Sequence, residues 1–302
     1  MSPIEEKIYT NLNEIGVEFL IRESFLGYKY RKQNGKLYAA DSEVHTKLIA
    51  AYYGLTFDEK KFDSMKKAFI SKYIRNESEL EGLDVNNAHD KTEVEGLALM
   101  YEYIHSPKID ENFSVYTLLN LHIKLFSLTP NPSCGGTTRT CAAYLPGTSA
   151  ELCPWEFIGS ELKKLDVEVQ TLVEIAKHLK GASDITQLFN YIDRCIELKC
   201  KLIKVHPFYD GNGRSVRCFI NKLFEDAGLP PVYIKPNERE EYLKAMDMMS
   251  HNGDYSYIKN FYRYKICDSI IELDINNKIN DTQNVMENRQ KNKIIVKKKE
   301  QQ

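Results

Sequence analysis

The chain predicts a mainly α fold, a helical bundle with one short hairpin flap. Three observations predict it: from Phe57 onward apolar residues recur at helical spacing, only Ser133–Ser149 reads as a Gly/Thr-rich loop or hairpin, and two strongly apolar-faced segments flank a central Gly-containing loop.

Residues 1–55 form a small N-terminal region, in which Asn34-Gly35 between tyrosine-bearing flanks marks a short hairpin or turn. Residues 56–112 are helical: Ile70, Tyr73 and Ile74 share one face, and Leu97, Met100, Tyr101 and Ile104 share another. Residues 113–268 make the core. A helix through Leu118, Leu121, His122, Leu125 and Phe126 stops before Pro130 and Pro132, which a helix interior does not tolerate. The next helix signal runs from Asp184 to Ile203, with Asp184 and Gln187 placed to cap its start. After the central loop, Val216, Phe219, Ile220, Leu223 and Phe224 line a second buried helix that Gly228 and Pro230 stop. An aromatic helix with Tyr257, Phe261, Tyr262 and Tyr264 closes the core. Residues 269–302 become a polar tail, with seven Lys+Arg against three Asp+Glu from Asn277 to Gln302, a composition that predicts disorder.

Composition narrows the function classes. With 41 Lys+Arg against 43 Asp+Glu, nothing global favours a nucleic acid or a lipid surface as partner. The seven cysteines contain no C-x-x-C pair and are odd in number, which fits free thiols in a reducing cytosol better than disulfides or structural zinc. No basic and apolar leader opens the sequence and no long apolar run follows, so the expectation is a cytoplasmic protein. The histidines outside the central loop lack metal-ligand spacing, and His122 reads as a satisfied packing residue.

The chemistry lies in His206-Pro207-Phe208-Tyr209-Asp210-Gly211-Asn212-Gly213-Arg214-Ser215-Val216-Arg217, a loop emptying into a helix N-terminus. Gly211 and Gly213 let successive N–H groups converge, and the helix dipole adds positive potential, which makes an anion nest suited to phosphate. Arg214 and Arg217, three apart, can hold further phosphate oxygens. Asp210 is a hard carboxylate suited to Mg²⁺, and His206 at the loop entrance is a general-base candidate. Each piece alone is a weak signal; their conjunction within twelve residues is not.

This segment matches H-x-F-x-[D/E]-G-N-G-R-x-x-R at every defined position and so resembles the Fic (Fido) family of protein adenylyltransferases over roughly residues 70–264. The resemblance implies a Fic-type bundle that moves AMP from Mg²⁺-ATP to a Ser, Thr or Tyr hydroxyl of a target protein, or of itself. His206 would be the catalytic base and Asp210 the Mg²⁺ ligand, with Gly211, Asn212, Gly213, Arg214, Ser215 and Arg217 on the nucleotide. Tyr242 would pack near the adenine, and the flap with Thr138, Arg139 and Thr140 would hold the target backbone by strand addition. No nucleic-acid or membrane partner is implied, and a homodimer is compatible.

Many members also carry an inhibitory helix, [S/T]-x-x-x-E-[G/N], whose glutamate pairs with the second motif arginine. Glu81-Gly82 matches, while Glu77 stands where Ser or Thr is expected; a second pair, Glu95-Gly96, reads as structural. Three rival functions share the site: AMP removal, transfer from another nucleotide, and non-catalytic nucleotide sensing.

Overall fold

The computed structural model describes residues 49, 59–84, 87–110, 112–144, 151–179 and 185–270. The Asn34-Gly35 turn, the Asp184 cap, the basic tail and the flap residues beyond 144 lie outside them. Among the described residues the chain is helical and without strands, and residues 135–144 of the expected hairpin run as irregular backbone.

Helix α1 (Glu59–Leu80) leads by a closing turn at Gly82 into α2 (Ala88–Ile104), and α3 (Thr117–Phe126) precedes the flap segment. Then follow α4 (Ile158–Leu179), α5 (Ile185–Val205), α6 (Asn212–Asp226) and α7 (Arg239–Asn252), and the chain is helical again over 256–270, α8.

The bundle is organised around α6. A helix that is apolar along one stripe buries that stripe, whereas one packed on several sides is buried all round. In α6 nearly every residue from Asn212 to Glu225 is buried, because α2, α3, α4 and α5 all pack against it. Its Phe219 stacks on Phe113 with ring centroids 4.6 Å apart, and Phe224 meets Tyr262 of α8 at 6.4 Å. Burying side chains of this size stabilises by about 1.5–3 kcal/mol each, so the helix that carries the motif is firmly held. On the outside, α1 docks through Phe69 against Tyr233 (5.3 Å) and Tyr73 against Tyr101 (5.2 Å).

The helices expected from spacing appear where the apolar faces lie: Leu118, Leu121 and Leu125 are buried on α3, and Leu188, Ile192, Cys195 and Ile196 on α5. Helix α4 is an addition, a 22-residue element whose Ile158, Leu162, Leu165, Val169, Leu172, Ala176 and Leu179 face the core. Among the described residues no helix is long and apolar enough to cross a membrane.

Candidate active site

Helix α5 ends at Val205, and His206 then takes a left-handed backbone with φ of 47°, uncommon for a residue with a side chain. Arg139 braces that turn. It is 1 % exposed; Nε donates to the His206 carbonyl (2.7 Å), Nη2 to Val205 (3.2 Å) and to Cys153, and Nη1 to Cys141 (2.9 Å). Its own N–H donates to Pro207 O at 2.8 Å. A guanidinium on the last carbonyls of a helix satisfies groups that have no intrahelical partner and complements the dipole. The Arg139 side chain is therefore turned inward, where it braces the end of α5. Burial, and then Arg139, lower the pKa of His206 below the usual histidine value.

Beyond His206 the loop is pinned by its own side chains. Phe208 is buried and stacks on His122 at 3.7 Å. Asn212 accepts from Phe208 N–H with Oδ1 (2.9 Å) and donates to Phe208 O with Nδ2 (2.8 Å), so its amide closes the loop and only its backbone remains for a ligand. His122 donates from Nε2 to Asp210 O (2.9 Å) and accepts from Gly136 N–H on Nδ1 (2.9 Å), which fixes the tautomer and ties the flap base to the motif. Burial takes its pKa down to about 4, so it stays neutral. Tyr209 reaches the flap as well, where its hydroxyl accepts from Thr140 N–H at 2.9 Å and lies 2.9 Å from Thr140 Oγ1.

Helix α6 starts at Gly211, whose φ of 71° lies in the left-handed region. A Cβ there would stand 2.7 Å from Phe126 and 2.9 Å from Leu125, so both backbone and packing demand glycine. The carboxylate of Asp210 is 71 % exposed at the mouth of this turn, with Oδ1 accepting from Gly211 N–H at 2.6 Å. Among the described residues no group of three or more His, Cys, Asp or Glu side chains gathers to hold a metal. A single exposed carboxylate beside an anion nest suits Mg²⁺ held mostly by phosphate and water. Ser215 is fully buried; its N–H is taken by Gly211 O at 3.0 Å, while its hydroxyl has no hydrogen-bond partner in the protein.

Both motif arginines are buried and engaged. Arg214 pairs with Glu93 of α2 through Nη1, lies 3.4 Å from Asp210 through Nη2, and rests over the Phe126 ring at 5.6 Å. Arg217 is held by two carboxylates of α1 and its closing turn. Nε donates to Glu77 at 2.7 and 3.0 Å, and Nη2 to Glu81 at 2.6 Å. Burial opposes charge on Arg217, yet Glu77 and Glu81 hold its pKa well above the usual value. Burial likewise pushes Glu77 up, more than Arg217 pulls it down; burial also acts to raise the less enclosed Glu81, but Arg217 together with Arg214 and Arg239 outweighs it and its pKa is lowered. Tyr242 is buried beneath this cluster, its hydroxyl accepting from Lys199 Nζ at 2.9 Å and its ring 5.7 Å from Phe261.

The structure thus brings His206, Asp210, Gly211, Gly213, Arg214, Arg217 and Glu81 to one loop and helix end. Glu93 and the buried Glu77 were not singled out as partners in the sequence, because nothing local marks a carboxylate more than a hundred residues from its arginine.

Residues 112–224 match the Fic/DOC family model. Protein adenylyltransferase fic-1 of Caenorhabditis elegans is 28 % identical over 157 residues, 52 % of this chain and 27 % of that protein. Protein adenylyltransferase Fic of Drosophila grimshawi is 24 % identical over 183 residues, 60 % of this chain and 34 % of that protein. The chain spans about a third or less of the length of these curated relatives. Among solved structures, a fragment of Caenorhabditis elegans Fic-1 superposes with a TM-score of 0.59 at 20 % identity, covering 80 % of this chain and 73 % of that one. A Fic domain containing signaling protein from Bacteroides thetaiotaomicron superposes with a TM-score of 0.59 at 14 % identity, covering 77 % and 97 %.

Proposed function

We propose that the chain, whose residues 112–224 match the Fic/DOC family model, is a protein adenylyltransferase restrained by Glu81. The observation that carries the reading is the joint presence of a half-buried His206 of lowered pKa at the loop mouth and an anion nest at the start of α6 backed by two arginines. A sensor of nucleotide needs the nest but no base beside it. The adenylyltransferase names of its relatives support the same reaction class.

In this mechanism the triphosphate of ATP lies at the start of α6, on the backbone N–H groups of Asn212 and Gly213, since that of Gly211 is held by Asp210. Neutral His206 takes the proton of a target Ser, Thr or Tyr hydroxyl as its oxygen forms the bond to the α-phosphorus. The bond from that phosphorus to the bridging oxygen breaks opposite, and pyrophosphate leaves with the electron pair. Asp210 would hold Mg²⁺, and that ion would supply neutralisation of phosphate charge. Arg214 and Arg217 stabilise the outer phosphates, so catalysis here is positioning and electrostatics.

Glu81 restrains the reaction because it occupies Nη2 of Arg217 at 2.6 Å, a donor the outer phosphates need. A hydrogen bond between charged groups contributes about 1.5–3 kcal/mol, so freeing that donor should raise activity by about ten- to a hundredfold. The test uses wild type, Glu81→Gly and His206→Ala with Mg²⁺ and α-³²P-ATP, with γ-³²P-ATP as control, on the protein itself and on lysate proteins. Label from the α- but not the γ-position, stronger in Glu81→Gly and lost in His206→Ala, is the expected result. Nucleotide binding without label in any variant would overturn the transferase reading and favour AMP removal or sensing.

A further inference from the structure

Arg217 is shared by two carboxylates that differ in what they can do. Glu77 is 0 % exposed and directs both oxygens at Nε, whereas the Glu81 side chain is 34 % exposed and takes Nη2. Four residues apart, they sit on one face of α1 and its closing turn, where Leu83 N–H returns to Ser78 O at 2.9 Å. Nη1 lies beside Gly213: a Cβ there would stand 2.8 Å from it and 3.4 Å from Glu81 Oε1. The guanidinium is thus anchored by its inner nitrogen and presents its outer edge to the second glycine of the nest. Ser78 takes no part, since its hydroxyl donates to Ile74 O within α1 at 2.7 Å.

We infer that Glu77 is the positioning residue of Arg217, holding Nε so that the outer nitrogens face the nest whether or not Glu81 is in place. The inference rests on reading that nest as a triphosphate site. The two glutamates divide their work according to burial. Glu81 can rotate into water and leave no buried charge behind; Glu77 cannot leave Arg217 without becoming an unpaired carboxylate in the interior. Where the resembled inhibitory pattern has Ser or Thr, this chain has an acid that fixes the arginine the brake acts on. Selectivity for three phosphates over one then depends on Glu77, because only an oriented Arg217 reaches the outer phosphates.

The experiment uses the full chain in the Glu81→Gly background and measures ATP and AMP dissociation constants by calorimetry for Glu77, Glu77→Met and Glu77→Gln. Methionine fills the space without an acceptor; glutamine keeps an oxygen for Nε. The expected result is that Glu77→Met loses about tenfold of the ATP-over-AMP preference, the worth of one charge-assisted hydrogen bond, while Glu77→Gln restores most of it. Equal weakening of ATP and AMP would reduce Glu77 to a fold support, and tighter ATP binding in both variants would make it a second brake; either overturns the inference. If Glu77→Met does not fold, as read by circular dichroism, Glu77→Ser replaces it. Should Glu81→Gly with Glu77 intact show no preference for ATP over AMP, the triphosphate reading itself falls, and the role of Glu77 with it.

Discussion

In the proposed mechanism His206 acts as a base only while its imidazole is neutral, and burial together with Arg139 moves its protonation below the ordinary 6.5. The sign is direct: a lowered pKa keeps the base competent as pH falls through 6.5 and places the loss of activity at more acid pH. Initial rates of label incorporation by Glu81→Gly, followed from about pH 5 to about pH 8, should stay level through neutrality and fall only on the acid side of the usual histidine value. An acid limb above it would remove His206 from the role of base. At this scale the motif was legible because its chemistry is contiguous, twelve residues from His206 to Arg217. The bracing role of the Arg139 side chain was not legible because a loop residue has no periodicity to say which way it points; only the carbonyls at the end of α5 decide that. Glu77 was read as a missing Ser or Thr, since burial against an arginine 140 residues away leaves no local trace.

Helices were legible wherever an apolar face repeats, and α4 was legible too, though only the structure drew attention to it. Its buried positions from Ile158 to Leu179 alternate steps of four and three, but the charged residues between them dilute the stripe. What spacing cannot give is how close two helices come. Gly96 of α2 faces the backbone of α3 so closely that a Cβ would lie 1.9 Å from Leu125 O. The pair Glu95-Gly96, a weak match to an inhibitory pattern, is thereby a helix contact, with Glu95 exposed and 4.0 Å from Lys91. Alanine in place of glycine gains about 1 kcal/mol of helix propensity, but here it must push α3 aside, at a cost of about 1–3 kcal/mol or more. Gly96→Ala should therefore lower the urea midpoint. It should also lower activity, because α3 carries His122, Leu125 and Phe126, which hold Gly211 and Asp210 in place. A stabilised Gly96→Ala would mean that α2 and α3 do not meet as closely as this.

Across the whole molecule, near-neutral composition conceals a local concentration of charge. Arg214 and Arg217 are met by Glu93, Asp210, Glu77 and Glu81, three of these drawn from segments that precede the stretch matching the Fic/DOC model. The Glu77–Arg217 pair joins α1 to the central α6 across 140 residues of sequence, and with Phe69 and Tyr73 it fixes how the first described helix docks. Removing one member of a buried ion pair strands the other, which costs about 3–5 kcal/mol, whereas replacing both by apolar residues of similar size is often neutral. Arg217→Met should accordingly destabilise the fold by about 3–5 kcal/mol in urea unfolding, and Glu77→Met added to it should recover most of the loss. Glu81→Met added instead should recover little, because a partly exposed carboxylate can already turn to water. The cycle separates the two glutamates by stability alone, with no nucleotide present. If Glu81→Met rescued Arg217→Met as well as Glu77→Met did, the burial difference between them would have no energetic meaning, and the asymmetry of this cluster would have to come from the ligand.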